Sequence, residues 1–289
     1  MKKIAFLVNP ASGAARRQDR TELIRRYCPS GIAYDILLWE KREQKEALFR
    51  QALNGDYEAV IAVGGDGTVN AVASALTGTD KALGIVPLGS GNGLARHLGI
   101  PLDPIKALGM LDKARIQKID TCYLNQKTFF CTAGVGFDAH IGKLFAESRK
   151  RGMATYAGMT IREIFSYQPQ LYKLTVDGEV SEHRAFLIAF GNAAQYGGNA
   201  YITPQADIQD GLIDISIIRP FPILKGLPLA YRLFNKNLGD SRDVLQLKGK
   251  QILLERHGAG PVHYDGEPDV MGEKLEISII PSSLNVLIP

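Results

Sequence analysis

The sequence predicts a two-domain protein, an N-terminal doubly wound α/β domain followed by a C-terminal β-sandwich-like domain, with a cleft between them. Three observations carry this reading. The first 120 residues alternate strand-like and helix-like segments, which is the rhythm of a mostly parallel sheet. Three of those strands run straight into turn-rich sequence, so their exits converge on one edge of the sheet, where such folds bind ligands. After residue 120 the alternation gives way to short segments bounded by Gly, Asp, Asn and Pro, the pattern of antiparallel strands. A chain of 289 residues accommodates both parts at roughly 100–200 residues per domain. The expected division is 1–120 for the α/β domain, with 284–289 returning to it, and 121–283 for the β-rich domain.

In chain order, Lys3–Val8, Ala33–Leu38, Ala59–Val63 and Leu83–Val86 are short and apolar, as suits strands buried on both faces. Arg17–Tyr27 places Leu23, Ile24 and Tyr27 at helical spacing, and Glu43–Leu53 does the same with Ala47, Leu48 and Ala52. Val69–Leu76 reads as a further helix. In the second half, Lys127–Thr132, Leu171–Val176, Arg184–Phe190, Leu212–Ile218, Gln251–Glu255 and Lys274–Ile280 read as strands. Two helical stretches interrupt them. Ala139–Tyr167 carries Lys143, Arg149, Lys150 and Arg151; Phe221–Leu238 mixes Phe221, Ile223, Leu224, Leu227, Leu229, Tyr231, Leu233 and Phe234 with Lys225, Arg232 and Lys236. Either one could rest on an anionic membrane, or could face the core with a solvated basic side.

Composition narrows the class. With 34 Lys+Arg against 30 Asp+Glu the chain has no excess of the kind that binds nucleic acid. Cys28, Cys122 and Cys131 are odd in number and lack CxxC spacing, so they read as reduced packing residues rather than a disulfide frame or zinc site. The apolar run after Met1-Lys2-Lys3 is too short for a signal peptide, and no stretch reaches the roughly 18 residues that span a bilayer. A cytoplasmic protein that touches a membrane from outside is the expectation.

The chemistry begins at Gly64-Gly65-Asp66-Gly67-Thr68, between the strand at 59–63 and the helix that follows. Glycines let the backbone turn tightly and bring N–H groups close to an anion, and the helix N-terminus adds partial positive charge. A carboxylate there would repel bare phosphate, so Asp66 reads as an organiser of Mg2+ on nucleotide phosphates. The α/β domain is thereby expected to be nucleotide-binding.

Around it stand Val8-Asn9-Pro10-Ala11-Ser12-Gly13 and Pro87-Leu88-Gly89-Ser90-Gly91-Asn92-Gly93-Leu94-Ala95-Arg96. Together the three runs closely resemble the diacylglycerol kinase catalytic-domain family of lipid kinases. The resemblance continues through Ala133–Asp138, Phe190-Gly191-Asn192 with Tyr196-Gly197-Gly198, Pro204-Gln205-Ala206 leading to Asp210–Asp214, and Tyr264-Asp265-Gly266-Glu267, in the family's order and over essentially the whole chain.

The resemblance implies transfer of the ATP γ-phosphoryl group to a lipid hydroxyl, with ATP and Mg2+ as cofactors. Such transfer needs phosphate charge neutralised, in-line positioning and a base at the attacking hydroxyl. Backbone N–H groups of Gly64, Gly65, Asp66, Gly67 and Thr68, with the Thr68 hydroxyl, would hold phosphate, and Asn70 would brace the loop or touch nucleotide. Ser90, beside Gly91, falls where the family has a nucleotide-contacting hydroxyl, and Asn9 and Ser12 border the same pocket. Glu267 falls at the family's catalytic carboxylate, with Asp265 beside it, and Asp66 and Glu267 are together the expected catalytic pair. Asp207, Asp210 and the Leu212 carbonyl match the position of a second Mg2+ in bacterial members. Where family members often carry a threonine after the second strand, this chain has Leu38-Trp39-Glu40, and Trp39 either stacks on a base or packs. His263, close to Glu267 in sequence, either approaches the site or is structural.

The acceptor is a lipid, with diacylglycerol first and a sphingoid base or ceramide as alternatives. A soluble-substrate kinase of the NAD kinase type shares GGDGT, and a catalytically silent nucleotide or lipid sensor stays open. Exposed strand edges leave a homodimer open as well.

Overall fold

The computed structural model describes residues 3–9, 17–38, 44–148 and 153–289. Contacts divide the chain into two compact units, Met1–Thr121 with Pro281–Pro289, and Cys122–Ile280. Ser12, Trp39 and the basic run 149–151 lie outside the described residues.

In the first unit, β1 (Lys3–Val8), β2 (Ala33–Leu38), β3 (Ala59–Gly64) and β4 (Ala82–Pro87) form a parallel array in the order β2-β1-β3-β4. Residues 285–286 add parallel beside β4, with Asn285 opposite Ala82 and Val286 opposite Leu83. β3 and β4 are buried at every position, which explains why they read as continuous apolar runs rather than alternating ones. Ile4, Phe6 and Val8 share a cluster with Ile24 of α1 (Arg17–Tyr27) and Leu108 of α5 (Pro104–Gly109). The intervening Ala5 and Leu7 are equally buried, on the opposite face of the strand. α2 (Lys45–Asn54) packs on α3 (Asp66–Leu76), and α1 on α5. The α/β fold expected here is the one found.

The second unit is an antiparallel β-sandwich. One sheet has six strands in the order β12-β11-β10-β7-β14-β15: Val244–Gly249, Ile213–Ile218, Leu187–Gly191, Thr132–Gly136, Gly260–Tyr264 and Glu267–Met271. The other contains β8 (Gln170–Val176), β9 (Glu179–Ala185), β13 (Gln251–Arg256) and the first half of β16 (Lys274–Ile288), with β5 (Arg115–Leu124) paired to β6 (Lys127–Phe129). Val135, Ile188, Phe190, Ile215 and Val262 of the first meet Leu174, Ile252, Leu254 and Leu275 of the second in one core.

Three segments differ from the sequence reading, each for a local reason. The run 127–132 is broken between β6 and β7, because the backbone N–H groups of 130, 131 and 132 turn to a single carboxylate, that of Asp265. The run 184–190 is split at Phe186, whose N–H goes to Ile218 and whose carbonyl accepts from Phe137, so its halves enter different sheets. The strand expected over 274–280 continues to Ile288, carrying the chain back into the first unit. The helical stretches resolve into α6 (Phe137–Glu147) and α7 (Met153–Glu163), and into a 3₁₀ turn (Ile223–Lys225) followed by α8 (Gly226–Phe234). α4 is the short helix Gly93–His97. Among the described residues, no helix is long and apolar enough to cross a membrane.

Candidate functional site

Two glycine loops leave adjacent strands of the first unit and lock together. The Leu88 N–H donates to the Gly64 carbonyl at 2.8 Å, which carries the β3–β4 register past the strand ends. A Cβ on Gly89 would lie 2.7 Å from the Gly65 Cα, so the two backbones approach more closely than any side chain permits. Asp66 then bridges the loops: its Oδ2 accepts from the Asn92 N–H at 2.9 Å and its Oδ1 from the Gly93 N–H at 2.8 Å. Those are the first amides of α4, so the carboxylate also serves as a cap from another helix. Each oxygen keeps a second acceptor site. The carboxylate in this glycine loop thus has a structural purpose of its own.

Asn92 closes the second loop. It sits at φ 50°, ψ 46°, a left-handed conformation that asparagine tolerates. Its Oδ1 accepts from the Gly89 N–H at 3.1 Å while its Nδ2 donates to the Gly89 carbonyl at 2.8 Å. Arg96 Nε holds the Gly91 carbonyl at 2.9 Å. Ser90 stands exposed at the tip between these fixed glycines.

The first strand's exit joins the same edge. Asn9 Nδ2 donates to the Thr68 hydroxyl at 3.0 Å, and the Asn9 carbonyl accepts from Arg20, whose side chain is buried in α1. The Thr68 side chain lies over Gly64, where a Cβ would meet its Oγ1 at 2.5 Å. Thr68 is only 4 % exposed, and its hydroxyl joins the exit of β1 to the first turn of α3. Asn70, one turn further on, accepts the Ser74 hydroxyl through its carbonyl at 2.7 Å. Asn9, Gly64–Thr68, Asn70, Ser90 and Gly91 are therefore gathered on one sheet edge.

In the second unit, Glu267 is the first residue of β15, directly opposite Tyr264 across a two-residue turn. Asp265 and Gly266 both have positive φ, 46° and 83°, as the tight hairpin turn requires. The Asp265 carboxylate takes three backbone N–H groups, from Phe130 at 2.9 Å, Cys131 at 2.8 Å and Thr132 at 3.1 Å. Asp265 fastens the hairpin to the sheet and leaves Glu267 exposed; no hydrogen bond or ion pair engages the Glu267 carboxylate among the described residues. At the same end of this sheet, Asn192 donates to the Phe130 carbonyl and the Thr203 side chain fills the space where Gly191 has no Cβ. The separate sequence blocks around 132, 191, 203 and 265 are thus neighbours.

Asp207, Asp210 and Leu212 lie just before β11, four strands across from β15, on the order of 19 Å at strand spacing. Asp207 Oδ1 accepts from the Gln209 N–H at 3.0 Å and Asp210 Oδ1 from the Leu212 N–H at 2.9 Å. Lys248 Nζ stands 3.1 Å from both Asp210 and Asp214, with hydrogen-bond alignment toward Asp210. Burial raises the Asp214 carboxyl above its ordinary range. Burial also works against the Lys248 ammonium, but Asp214 and Asp210 outweigh it and raise its pKa. A divalent ion here would compete with an ammonium already in place. Among the described residues no group of three or more His, Cys, Asp or Glu side chains is arranged to hold a metal.

One further network escaped sequence reading. Asp138, at the start of α6, accepts from the Tyr196 hydroxyl at 2.6 Å and lies 2.9 Å from His263 Nε2. Burial pushes the Tyr196 hydroxyl well above its ordinary pKa and keeps it a donor. His263 is buried and points into this network, so its role is internal. Asn92, Arg20 and Lys248 were also passed over. Only Asn92 carried a signal, an asparagine between two glycines where a left-handed residue is needed.

A family model described as the diacylglycerol kinase catalytic domain matches residues 3–124, and one described as the YegS C-terminal NAD kinase beta sandwich-like domain matches 131–288. A probable lipid kinase YegS-like protein of Chromohalobacter salexigens is 33% identical over 251 residues, 84% of this chain and 79% of that protein. A diacylglycerol kinase of Mycobacterium tuberculosis is 30% identical over 299 residues, covering 99% of this chain and 95% of that one. The crystal structure of a diacylglycerol kinase from Bacillus anthracis superposes with a TM-score of 0.75 at 20% identity, over 100% of this chain and 97% of that chain, a likeness of fold. Both halves of the chain match the same kind of protein in the same order, and the chain belongs to the diacylglycerol kinase catalytic-domain family, as a lipid kinase of the YegS-like type.

Proposed function

We propose that the chain transfers the γ-phosphoryl group of ATP to a hydroxyl of diacylglycerol or a closely related lipid. The observation that carries this reading is the interlocked pair of glycine loops at the α3 N-terminus of the first unit; in the second unit, taken by itself, Glu267 stands exposed on a hairpin fastened by Asp265, with no hydrogen bond or ion pair among the described residues. Backbone N–H groups at Gly65–Gly67 and the exposed Ser90 hydroxyl bind ATP phosphate, with the helix N-terminus favouring its charge. Asn9 and Thr68 hold the loop in shape from behind. Asp66 keeps the two loops in register and would help to hold Mg2+, directly or through water, which would supply charge neutralisation. Glu267 takes the proton from the attacking lipid hydroxyl.

Diacylglycerol is favoured as acceptor by the Mycobacterium tuberculosis relative's name. The test is incubation with labelled ATP and a panel of lipids, sphingoid bases and NAD, followed by mass spectrometry. Phosphatidate as the main product supports the reading; phosphorylated NAD with no labelled lipid contradicts it.

A further inference from the structure

Fourteen large apolar side chains stand exposed among the described residues, and five of them fall in one short stretch of the second unit. Leu224 is 87% exposed, Leu227 84%, Tyr231 67% and Phe234 55%, at intervals of three, four and three residues, which places them along one side of the 3₁₀ turn and α8. The opposite side of the same helix is already used: Leu229 is buried and Leu233 packs beside it, in a cluster with Phe137, Ile141 and Val244. The exposed row is therefore surplus to folding. Its members adjoin one another at helical spacing instead of being scattered singly.

The row continues around a groove of about 420 Å³ whose walls include Ile164, Phe165, Tyr167, Phe186, Phe221 and Ile223. Phe165 is itself 70% exposed, and Ile161 of α7 is 64% exposed. Charge decides what covers this face. Residues 219–238 contain Arg219, Lys225, Arg232 and Lys236 and no Asp or Glu. Lys225 is paired with Asp243, but Arg219 and Lys236 are exposed, and Lys236 lies over the Tyr201 ring at 4.5 Å. A two-fold contact between copies would set this basic segment against itself, which costs energy. An anionic bilayer surface offers both the apolar boundary and the opposite charge.

We propose that this face docks on an anionic bilayer, with Leu224, Leu227, Tyr231 and Phe234 entering the headgroup boundary and Arg219 and Lys236 meeting lipid phosphates. The lipid-kinase reading gives the chain a reason to meet a bilayer, but binding is measured without turnover.

The test is sedimentation of the full chain with vesicles of mixed phosphatidylglycerol and phosphatidylcholine, and with phosphatidylcholine alone. Preferential binding to the mixed vesicles is expected. The Leu224→Asp/Leu227→Asp double variant, altered only at exposed positions, should bind them at least about tenfold more weakly, because aspartate is strongly disfavoured in the apolar layer. Arg219→Glu/Lys236→Glu should erase the preference for anionic vesicles. In a second readout, brominated lipid should quench Leu224→Trp fluorescence beyond the background of the native Trp39. Wild-type binding by the double aspartate variant, absent quenching, or a dimer that the double variant dissociates would each overturn the proposal. Turnover of diacylglycerol in detergent micelles separates the two claims. Its absence would sink the kinase reading and leave a positive vesicle result standing, whereas near-wild-type micelle activity in the double variant supports a purely interfacial role.

Discussion

At the scale of single residues, three carboxylates that look alike in sequence stand in two different situations. Asp66 and Asp265 each gather backbone N–H groups, two and three respectively, and so act as fasteners. Glu267 gathers none and is exposed. Asp66→Ala should therefore destabilise the first unit by roughly 1–3 kcal/mol, the cost of orphaned amide donors, and weaken ATP binding together with it. Denaturant unfolding and nucleotide titration on one preparation check this. Glu267→Gln should leave the melting temperature unchanged and lower kcat by about 10²–10⁴, the usual share of a general base. Sequence reading found Asp66 through its glycine neighbours and Glu267 through the family resemblance. It did not show that Asp66 and Asp265 are fasteners, since that depends on Asn92, Gly93 and Phe130–Thr132, which are distant in sequence or contribute only amides.

At the scale of elements, legibility followed burial. β3 and β4 stood out because both faces are covered and the sequence is uniformly apolar there. β9, exposed at alternate positions and rich in charge, left only its end visible. The split of 127–132 was invisible because its cause, Asp265, lies more than 130 residues away. The pairing of β11 with β12 has its own charge economy, in which Lys248 links Asp210 and Asp214. The raised Lys248 pKa means the folded state holds the proton more tightly than the unfolded chain. Its stabilisation is complete below about pH 10.4 and is lost as pH rises through the raised value. Urea unfolding across that range should show the loss in wild type and not in Lys248→Met. The raised Asp214 pKa gives a slope of the same sign at the acid end: stability falls as pH rises from about 3.9 through the native value, and Asp214→Asn removes that slope. Lys248→Met also frees Asp210 for a metal, so Mg2+ should raise its melting temperature more than it raises that of wild type.

At the scale of the whole molecule, two strands carry the chain between its units, β5 outward and β16 back. The fold class was readable from the change of rhythm after residue 120. The blocks of the second unit were readable only as an ordered list, and their meaning appears once strand order brings 132, 191 and 265 to one sheet end. In the proposed function Glu267 is the base in phosphorylating a lipid. Transfer of labelled phosphate from ATP to diacylglycerol in mixed micelles, compared between wild type and Glu267→Gln of equal melting temperature, tests it most directly. Labelled phosphatidate from the wild type and a loss of at least about a hundredfold in the variant is the predicted result; equal rates from the two proteins would contradict it.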